Sequence, residues 1–456
     1  MAVPRILIVG GGFAGMECAH KLERVLRPGE ARIRMVTPLA HQLYLPLLPQ
    51  VASGVLTTQS VAVPLRRMLR RTGIVPGGAV GVDTAAKAVV VRLITGETTV
   101  ERYDHLVLTP GSVTRQFDIP GLDRYAVGVK TLAEAAWIRD HVISQLDLAA
   151  ASSDPAERAA RLQFVVVGGG YAGTETAACL QRLTSAAVQR YPGLDPAWIR
   201  WHLVDIAPKL MPELGDRLGE KALDILRRRG LHVSLGVSVA KATEDTVTLT
   251  DGRMLPCRTL IWTAGVAASP LVRTLDAETS RGRLVVGADL TVPGVDGVFA
   301  LGDAAAVPDL AKGGDAICPP TAQHAMRQGW VAAGNVAAVL RGGRPVPYRH
   351  KDLGLVVDLG GWQAVSKPLG VQLAGLPAQL VARGYHLAAL RTLTARFRTG
   401  ANWALNAVAG DDFVRIGFQA GRPATLQDFE KTDMYLGRDE MREILGREAS
   451  GIASAG

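Results

Sequence analysis

Two glycine-rich stretches carry the chemistry this sequence encodes most plainly: Val9-Gly10-Gly11-Gly12-Phe13-Ala14-Gly15 and Val167-Gly168-Gly169-Gly170-Tyr171-Ala172-Gly173. In each, the first glycine permits a tight turn and the second lets the backbone approach a pyrophosphate. The third allows close packing of helix on strand, and the phosphates rest at the helix N-terminus. Two copies imply two dinucleotides. A duplication that kept the fold and lost one ligand is the alternative.

The flanking residues supply the elements such turns need. Ile6-Leu7-Ile8-Val9 precedes the first turn and Phe164-Val165-Val166-Val167 the second, short apolar runs of the kind that form buried parallel strands. The first unit reaches a second strand at Ile33-Arg34-Met35-Val36, which ends at Thr37-Pro38, where an acidic residue would ordinarily hold the adenosine ribose. In the second unit Ile199–Val204 ends at Asp205. A carboxylate there accepts from a ribose 2′-hydroxyl and repels a 2′-phosphate, which favours NADH over NADPH; a solvated strand-end aspartate is the other reading.

Further along, residues 80–108 alternate in β fashion and run into the turn Thr109-Pro110-Gly111. A helix is expected near Leu132–Leu148, a surface connection over Ala149–Arg161, a helix over Gly215–Gly230 and hairpin strands over Val233–Leu255. Thr259–Trp262 then leads into Thr263-Ala264-Gly265, and a late strand ends in Gly302-Asp303, where an aspartate could reach a ligand hydroxyl. The expected fold class is α/β, with two Rossmann-like dinucleotide-binding domains and a C-terminal region of amphipathic helices. The expected division is a first nucleotide-binding part at 1–118, a second nucleotide domain at 119–284, a return to the first at 285–358, and a C-terminal region at 359–456.

Composition narrows the classes. A chain of 456 residues, 48% hydrophobic and 20% charged, has the balance of a globular protein with room for several domains. Cys18, Cys179, Cys257 and Cys318 are far apart and form no close pair, so neither a metal site nor a local redox dithiol is expected. A strand beginning so near Met1 leaves no room for a signal peptide, and no run approaches the ~20 apolar residues of a spanning helix; a cytoplasmic chain is expected. The net charge of +9 lacks a nucleic-acid motif or dense basic block, so no nucleic-acid partner is expected. Much of the excess is local: between Leu359 and Gly410 there is no Asp or Glu, while Lys367, Arg383, Arg391, Arg396 and Arg398 lie inside. With Leu380, Val381, Leu387, Leu390, Leu393, Trp403 and Leu405, this segment reads as a basic amphipathic helix for an anionic membrane face, or as a dimer-interface or domain-covering helix; both can hold at once.

Taken together, these motifs resemble the two-dinucleotide flavoproteins, in which the first fingerprint and the late Gly-Asp bind FAD and the second fingerprint binds NAD(P)H. More closely, the chain resembles the type II NADH:quinone oxidoreductases, through His41–Gly54, Lys130-Thr131-Leu132, Thr174-Glu175-Thr176-Ala177 and Pro320-Thr321-Ala322-Gln323-His324-Ala325. The resemblance implies that Gly10, Gly12, Gly15, Thr37, Gln50, Gly111, Gly302, Asp303 and Ala322 serve FAD, and that Gly168, Gly170, Gly173, Asp205 and Gly265 serve NADH. It implies catalytic roles for Glu175, near nicotinamide and flavin, and for Gln323, beside the quinone, with no metal. Glu175 also fits a plain first-turn helix acid. The implied partners are a quinone, the inner face of a membrane on which the cytoplasmic chain sits peripherally, and a second copy in a homodimer. The chain departs from the family pattern at Thr37, at Arg327 before Gln328, and at Asp352-Leu353-Gly354, where Asp-Lys-Gly is common. A reductase of a soluble quinoid compound, and a flavoprotein whose nucleotides gate binding in place of turnover, therefore remain open.

Overall fold

The computed structural model describes residues 3–410, 412–417 and 434–449. Of the expected C-terminal region, residues 411, 418–433 and 450–456 lie outside the described residues.

The apolar runs around the first fingerprint build a seven-stranded sheet in the order Val298–Ala300, His105–Leu108, Arg5–Val9, Arg32–Thr37, Gly73–Asp83, Ala88–Leu93, Thr98–Arg102. The first five strands are parallel and the last two extend the sheet as an antiparallel meander. Ile6, Leu7, Ile8 and Val9 are all buried, as a central parallel strand covered on both faces requires. One covering layer is the helix Phe13–Val25, against which the helix Ala322–Leu340 packs; a Cβ at Gly329 would stand 2.4 Å from the Ala14 carbonyl oxygen, so glycine permits the close crossing.

The second fingerprint repeats the plan in a five-stranded parallel sheet, ordered Ala126–Val127, Thr259–Trp262, Gln163–Val167, Arg200–Asp205, Leu231–Leu235. A separate antiparallel meander comprises Val239–Ala242, Thr246–Leu249 and Met254–Pro256. The hairpin expected around Asp251-Gly252 is thus present between Thr246–Leu249 and Met254–Pro256, while the start of the span, Val233, belongs to the parallel sheet because Leu231 and Val233 bury against the helix Asp216–Arg228. Ala149–Arg161 is also more than a connection. Its predecessor helix runs Leu132–Ala151, and a further helix, Pro155–Arg161, follows, with Asp154 accepting from the Ala156 N–H at 2.9 Å and proline in the first turn.

A two-stranded ribbon, Ser112–Thr114 with Val266–Ala268, joins the two units. Soon after it the Thr274 hydroxyl accepts from the Val82 N–H at 3.0 Å, so the chain has rejoined the first sheet well before residue 285.

The C-terminal segment does not form one basic helix. After the small sheet Val356–Asp358, Ala364–Ser366, Leu373–Ala374 come two helices, Leu376–Ala389 and Leu393–Ala409, broken at Leu390–Thr392. Thr392 caps the second by accepting from the Ala395 N–H, and Arg396 donates to the Ala388 and Leu390 carbonyls that end the first. Several presumed surface anchors are internal. Trp403 and Leu390 are buried, Arg383 lies 4.5 Å from the Trp362 ring centroid and 5.2 Å from that of Trp403, and Arg391 pairs with Glu17.

Candidate functional site

Each glycine turn is closed by the same set of contacts. In the first, the Gly10 N–H donates to the Val36 carbonyl at 2.9 Å and the Thr109 hydroxyl to the Val9 carbonyl at 2.7 Å. In the second, the Gly168 N–H donates to Val204 at 2.8 Å and the Thr263 hydroxyl to Val167 at 2.8 Å. Gly10 and Gly168 have φ of +104° and +112°, and a Cβ at either would strike the neighbouring threonine strand. A Cβ at Gly15 or Gly173 would lie 1.9 Å from the carbonyl oxygen of Gly10 or Gly168. At Gly12 and Gly170, by contrast, a Cβ would meet nothing within 4 Å. Neither residue offers a side chain to cap the helix it opens, so each turn presents backbone N–H groups to open space. This donor-lined concavity fits a pyrophosphate in both units.

Of the other expected FAD-side residues, Thr37, Gly111, Gly302 and Asp303 stand at or just beyond the C-terminal ends of the same parallel strands, where an open α/β sheet binds ligands, while Gln50 and Ala322 lie on the helices Leu48–Ala52 and Ala322–Leu340. Gly302 follows Val298–Ala300 with φ +71°, and its N–H donates to the Gln328 side chain at 2.8 Å. Asp303 accepts from the Ser112 hydroxyl at 2.6 Å, and Lys130 donates to that hydroxyl at 2.8 Å. Gly111 turns the chain with φ +74°. Thr37 is buried and spends its hydroxyl on the Leu39 carbonyl at 3.0 Å. On the other unit, Asp205 takes the Gly169 N–H with one carboxylate oxygen and the Ala207 N–H with the other at 2.7 Å, and Gly265 turns with φ +84°.

Glu175 and Gln323 arise from opposite units and meet one short stretch of chain, Leu353–Asp358. Gln323 donates to the Gly354 carbonyl at 3.0 Å and accepts from the Leu353 N–H at 3.1 Å. The departure at Leu353 is thereby absorbed through its backbone. Ala322 opens the same helix beneath a Thr321 cap. Glu175 accepts from the Asp358 N–H at 2.8 Å. Burial pushes the Glu175 carboxyl well above its ordinary range, with the Asp358 N–H opposing and the Asp358 charge reinforcing the shift.

Asp358 is a second buried carboxyl, unassigned by sequence reasoning. It accepts from Gln50 Nε2 at 2.6 Å and from the Gly360 N–H at 2.7 Å, and burial raises its pKa against those bonds and the Arg383 charge. Gln50 in turn accepts from the Trp403 indole at 2.7 Å. Nothing in the local sequence marks Asp358, since its partners are 183 and 308 residues distant. The motif likewise contains Gln328 but does not reveal its bond to the Gly302 N–H. A small cavity of about 60 Å³ opens beside this cluster, lined in part by Cys179, Arg182, Trp362 and Asn406.

The sequence profile of the pyridine nucleotide-disulphide oxidoreductases matches residues 4–329. The type II NADH:quinone oxidoreductase Ndh of Mycobacterium tuberculosis is 32% identical over 418 residues, covering 88% of this chain and 87% of that protein. The chain belongs to the type II NADH:quinone oxidoreductase family.

A Staphylococcus aureus type II NADH:quinone oxidoreductase is 28% identical over 82% of this chain and 92% of its own. In fold, the chain is similar to NDH2 from Plasmodium falciparum in complex with NADH, with a TM-score of 0.84 at 17% identity, covering 91% of this chain and all of that one. Although the broader family name refers to a disulphide, all four cysteines of this member are free and buried.

Proposed function

We propose that this chain oxidises NADH and reduces a quinone. The observation that carries this reading is the convergence of Glu175, from the second nucleotide unit, and Gln323, from the first, on Leu353–Asp358. Gly10, Gly12, Gly15, Gly111, Gly302 and Asp303 would hold FAD, with Gln50 and Ala322 beside it and Thr37 at the adenosine end; Gly168, Gly170, Gly173, Asp205 and Gly265 would hold NADH. Bound FAD supplies the two-electron relay from the nicotinamide to the quinone. The chain's own part is to position and to manage protons. The Asp358 N–H fixes the Glu175 carboxyl, whose raised pKa suits it to hold a proton in a dry site, and Asp358 offers a second carboxyl a short step away.

On this reading residues 1–118 form the FAD-binding unit and the NADH-binding unit begins at 119. The ribbon at Val266–Ala268 and the Thr274–Val82 bond favour placing the return to the FAD unit near 266 in place of 285.

Among the described residues no helix is long and apolar enough to cross a membrane. The C-terminal helices nonetheless leave Leu380, Leu393, Phe397, Leu405 and Val408 exposed, with Leu393 at 80% and Phe397 at 78%, and Arg398 exposed beside them. We assign this band to the surface of an anionic membrane on the cytoplasmic side, where a lipid-soluble quinone is met. A second copy could share the band in a homodimer, which sedimentation of the detergent-solubilised protein measures. Flotation with phosphatidylglycerol vesicles tests the membrane assignment: Phe397→Asp should release the protein, and equal flotation of wild type and variant would refute it.

Anaerobic mixing of the FAD-loaded protein with NADH, then with a short-chain quinone, tests the reaction. Flavin absorbance should bleach with NADH and return faster with quinone in proportion to its concentration. Bleaching with no acceleration by ubiquinone or menaquinone analogues would overturn the acceptor.

A further inference from the structure

The loop that follows Gly302-Asp303 folds back on itself. Pro308 and Ile317 pair across it, the Asp309 N–H donates to the Ala316 carbonyl at 2.7 Å, and the Cys318 N–H donates to Val307 at 2.9 Å. This closure places Asp309 beside Cys318, and the first turn of the helix Ala322–Leu340 brings His324 to both. One ligand atom of each of the three lies within 4.8 Å of the other two, and all three residues are at least nine-tenths buried.

We infer that Asp309, Cys318 and His324 form a zinc site, with water as the fourth ligand. The donor set of one thiolate, one imidazole and one carboxylate suits a borderline cation of tetrahedral habit, and with a deprotonated cysteine it balances the charge of Zn²⁺. Ligands about 2.0–2.3 Å from a tetrahedral zinc stand roughly 3.3–3.8 Å apart, so from separations of at most 4.8 Å the three need close by no more than about 1.5 Å. A turn of the cysteine χ1 and a tilt of the imidazole supply that. On binding, the Cys318 proton leaves to solvent and the thiolate takes the metal.

Two of the three ligands, His324 and Asp309, are already oriented by partners of their own. The Tyr348 hydroxyl lies 2.9 Å from His324 Nδ1, leaving Nε2 to ligate, in the manner of the hydrogen-bonded outer partners that fix metal-bound histidines. Asp309 Oδ1 accepts from the Ala311 and Lys312 N–H groups at 3.1 and 3.3 Å, which aims Oδ2 outward. Lys312 Nζ lies 3.5 Å from Oδ2, on a side chain that is 61% exposed and free to swing into water. Among the described residues, Cys318 Sγ has a long contact of 3.7 Å to the Pro308 carbonyl. A salt-bridged loop aspartate beside an inert thiol needs neither the inward histidine nor its tyrosine partner.

The metal would staple the loop 308–318 to the helix carrying Gln323 and, through Tyr348, to the chain leading into Leu353–Asp358. Its role would be structural, since none of its ligands touches the glycine turns.

The FAD-loaded protein, incubated with zinc sulfate and gel-filtered, is assayed by plasma mass spectrometry and zinc X-ray absorption. About one zinc per chain with a single sulfur neighbour is expected. Cys318→Ser and Asp309→Asn should each lower the zinc content to the buffer background while flavin content stays unchanged. The wild-type measurement stands even if a variant fails to fold. No zinc above background in the wild type, a first shell without sulfur, or full zinc retention in folded Cys318→Ser and Asp309→Asn would overturn the site.

Discussion

The two glycine cradles match in backbone, threonine brace and open mouth, and they differ where a side chain meets the middle glycine. A Cβ at Gly11 would lie 2.9 Å from Thr37 Oγ1, and one at Gly169 would lie 2.9 Å from Asp205 Oδ2. In the first cradle that neighbour is neutral, buried and turned to the Leu39 carbonyl; in the second it is a carboxylate bonded to the turn itself through the Gly169 N–H. The shared parts answer a shared demand, room and N–H groups for a pyrophosphate. The differing part sets what lies beyond it. On the proposed assignment, a cofactor that stays bound would also be held elsewhere, by Asp303 and the segment around Gln50, whereas one that must exchange would rely on its own cradle and on reading the ribose.

The sharpest way to break this comparison is to close each cradle in turn. Gly15→Ala and Gly173→Ala add the same methyl group against the same carbonyl. Gly15→Ala should yield protein that purifies without flavin, read by its absorbance spectrum. Gly173→Ala should keep its flavin but bind NADH at least about 100-fold more weakly, roughly 2.7 kcal/mol, in a titration of flavin bleaching. Equal flavin loss in both variants would show that the cradles do not divide the two ligands.

Next in size is the carboxyl beyond the second cradle. Glu175→Gln keeps the acceptor for the Asp358 N–H and removes the titrating group, so turnover should fall on the order of 100-fold with flavin content unchanged. The pH dependence of stability separates a proton-holding role from a merely structural one. Because burial raises this carboxyl above its ordinary 4.5, the folded chain binds the proton more tightly than the unfolded chain does. The stability conferred by the protonated form is complete below 4.5 and declines as pH rises from there to the elevated folded value. Thermal melts of wild type and Glu175→Gln should therefore converge in acid and separate upward in pH, with the variant the more stable. Parallel melting curves across that range would contradict the burial argument.

How far these features are written in the sequence depends on how local their cause is. A turn that needs positive φ at Gly10 and Gly168 demands glycine at fixed spacing after a buried strand, so both cradles, the Thr37–Asp205 contrast and Gly302-Asp303 can be read along the chain. The helix Pro155–Arg161 is equally local, signalled by Asp154-Pro155, although its polar, alanine-rich composition suits a connection as well. Asp358 was not readable, because its meaning comes from Glu175 and Gln50 across the fold. The basic C-terminal segment leaves its membrane and domain-covering alternatives open along the chain for a related reason. Periodicity reports that a helix has an apolar face but not what covers it, and here Trp403 turns in to Gln50 while Arg391 turns in to Glu17. Gathering Asp309, Cys318 and His324 likewise requires the loop to close and the next helix to begin, which no cysteine spacing reports.

A tenfold effect should follow from exchanging the differing side chain in the second cradle. Asp205→Ser removes the charge that repels a 2′-phosphate and one acceptor for the ribose, so kcat/KM should fall about tenfold with NADH and rise about tenfold with NADPH. Because Asp205 also takes the Gly169 N–H, some loss of affinity for both nucleotides is expected, and the ratio of the two is the telling quantity. An unchanged ratio would reduce Asp205 to a brace for the turn.

The smallest effect belongs to the first cradle. Thr37→Val is isosteric and removes only the hydroxyl bonded to the carbonyl of the half-exposed Leu39, which water can reach in its place. The cost should be about 1 kcal/mol of folding stability, with no more than about a fivefold rise in the rate of flavin release on dilution. Were Thr37 instead the chief ribose contact, the same change would strip the flavin during purification, as closing the cradle at Gly15 should. A coloured Thr37→Val protein beside a colourless Gly15→Ala protein would show that the first cradle holds its ligand by backbone and shape, and that only the second depends on the side chain at its strand end.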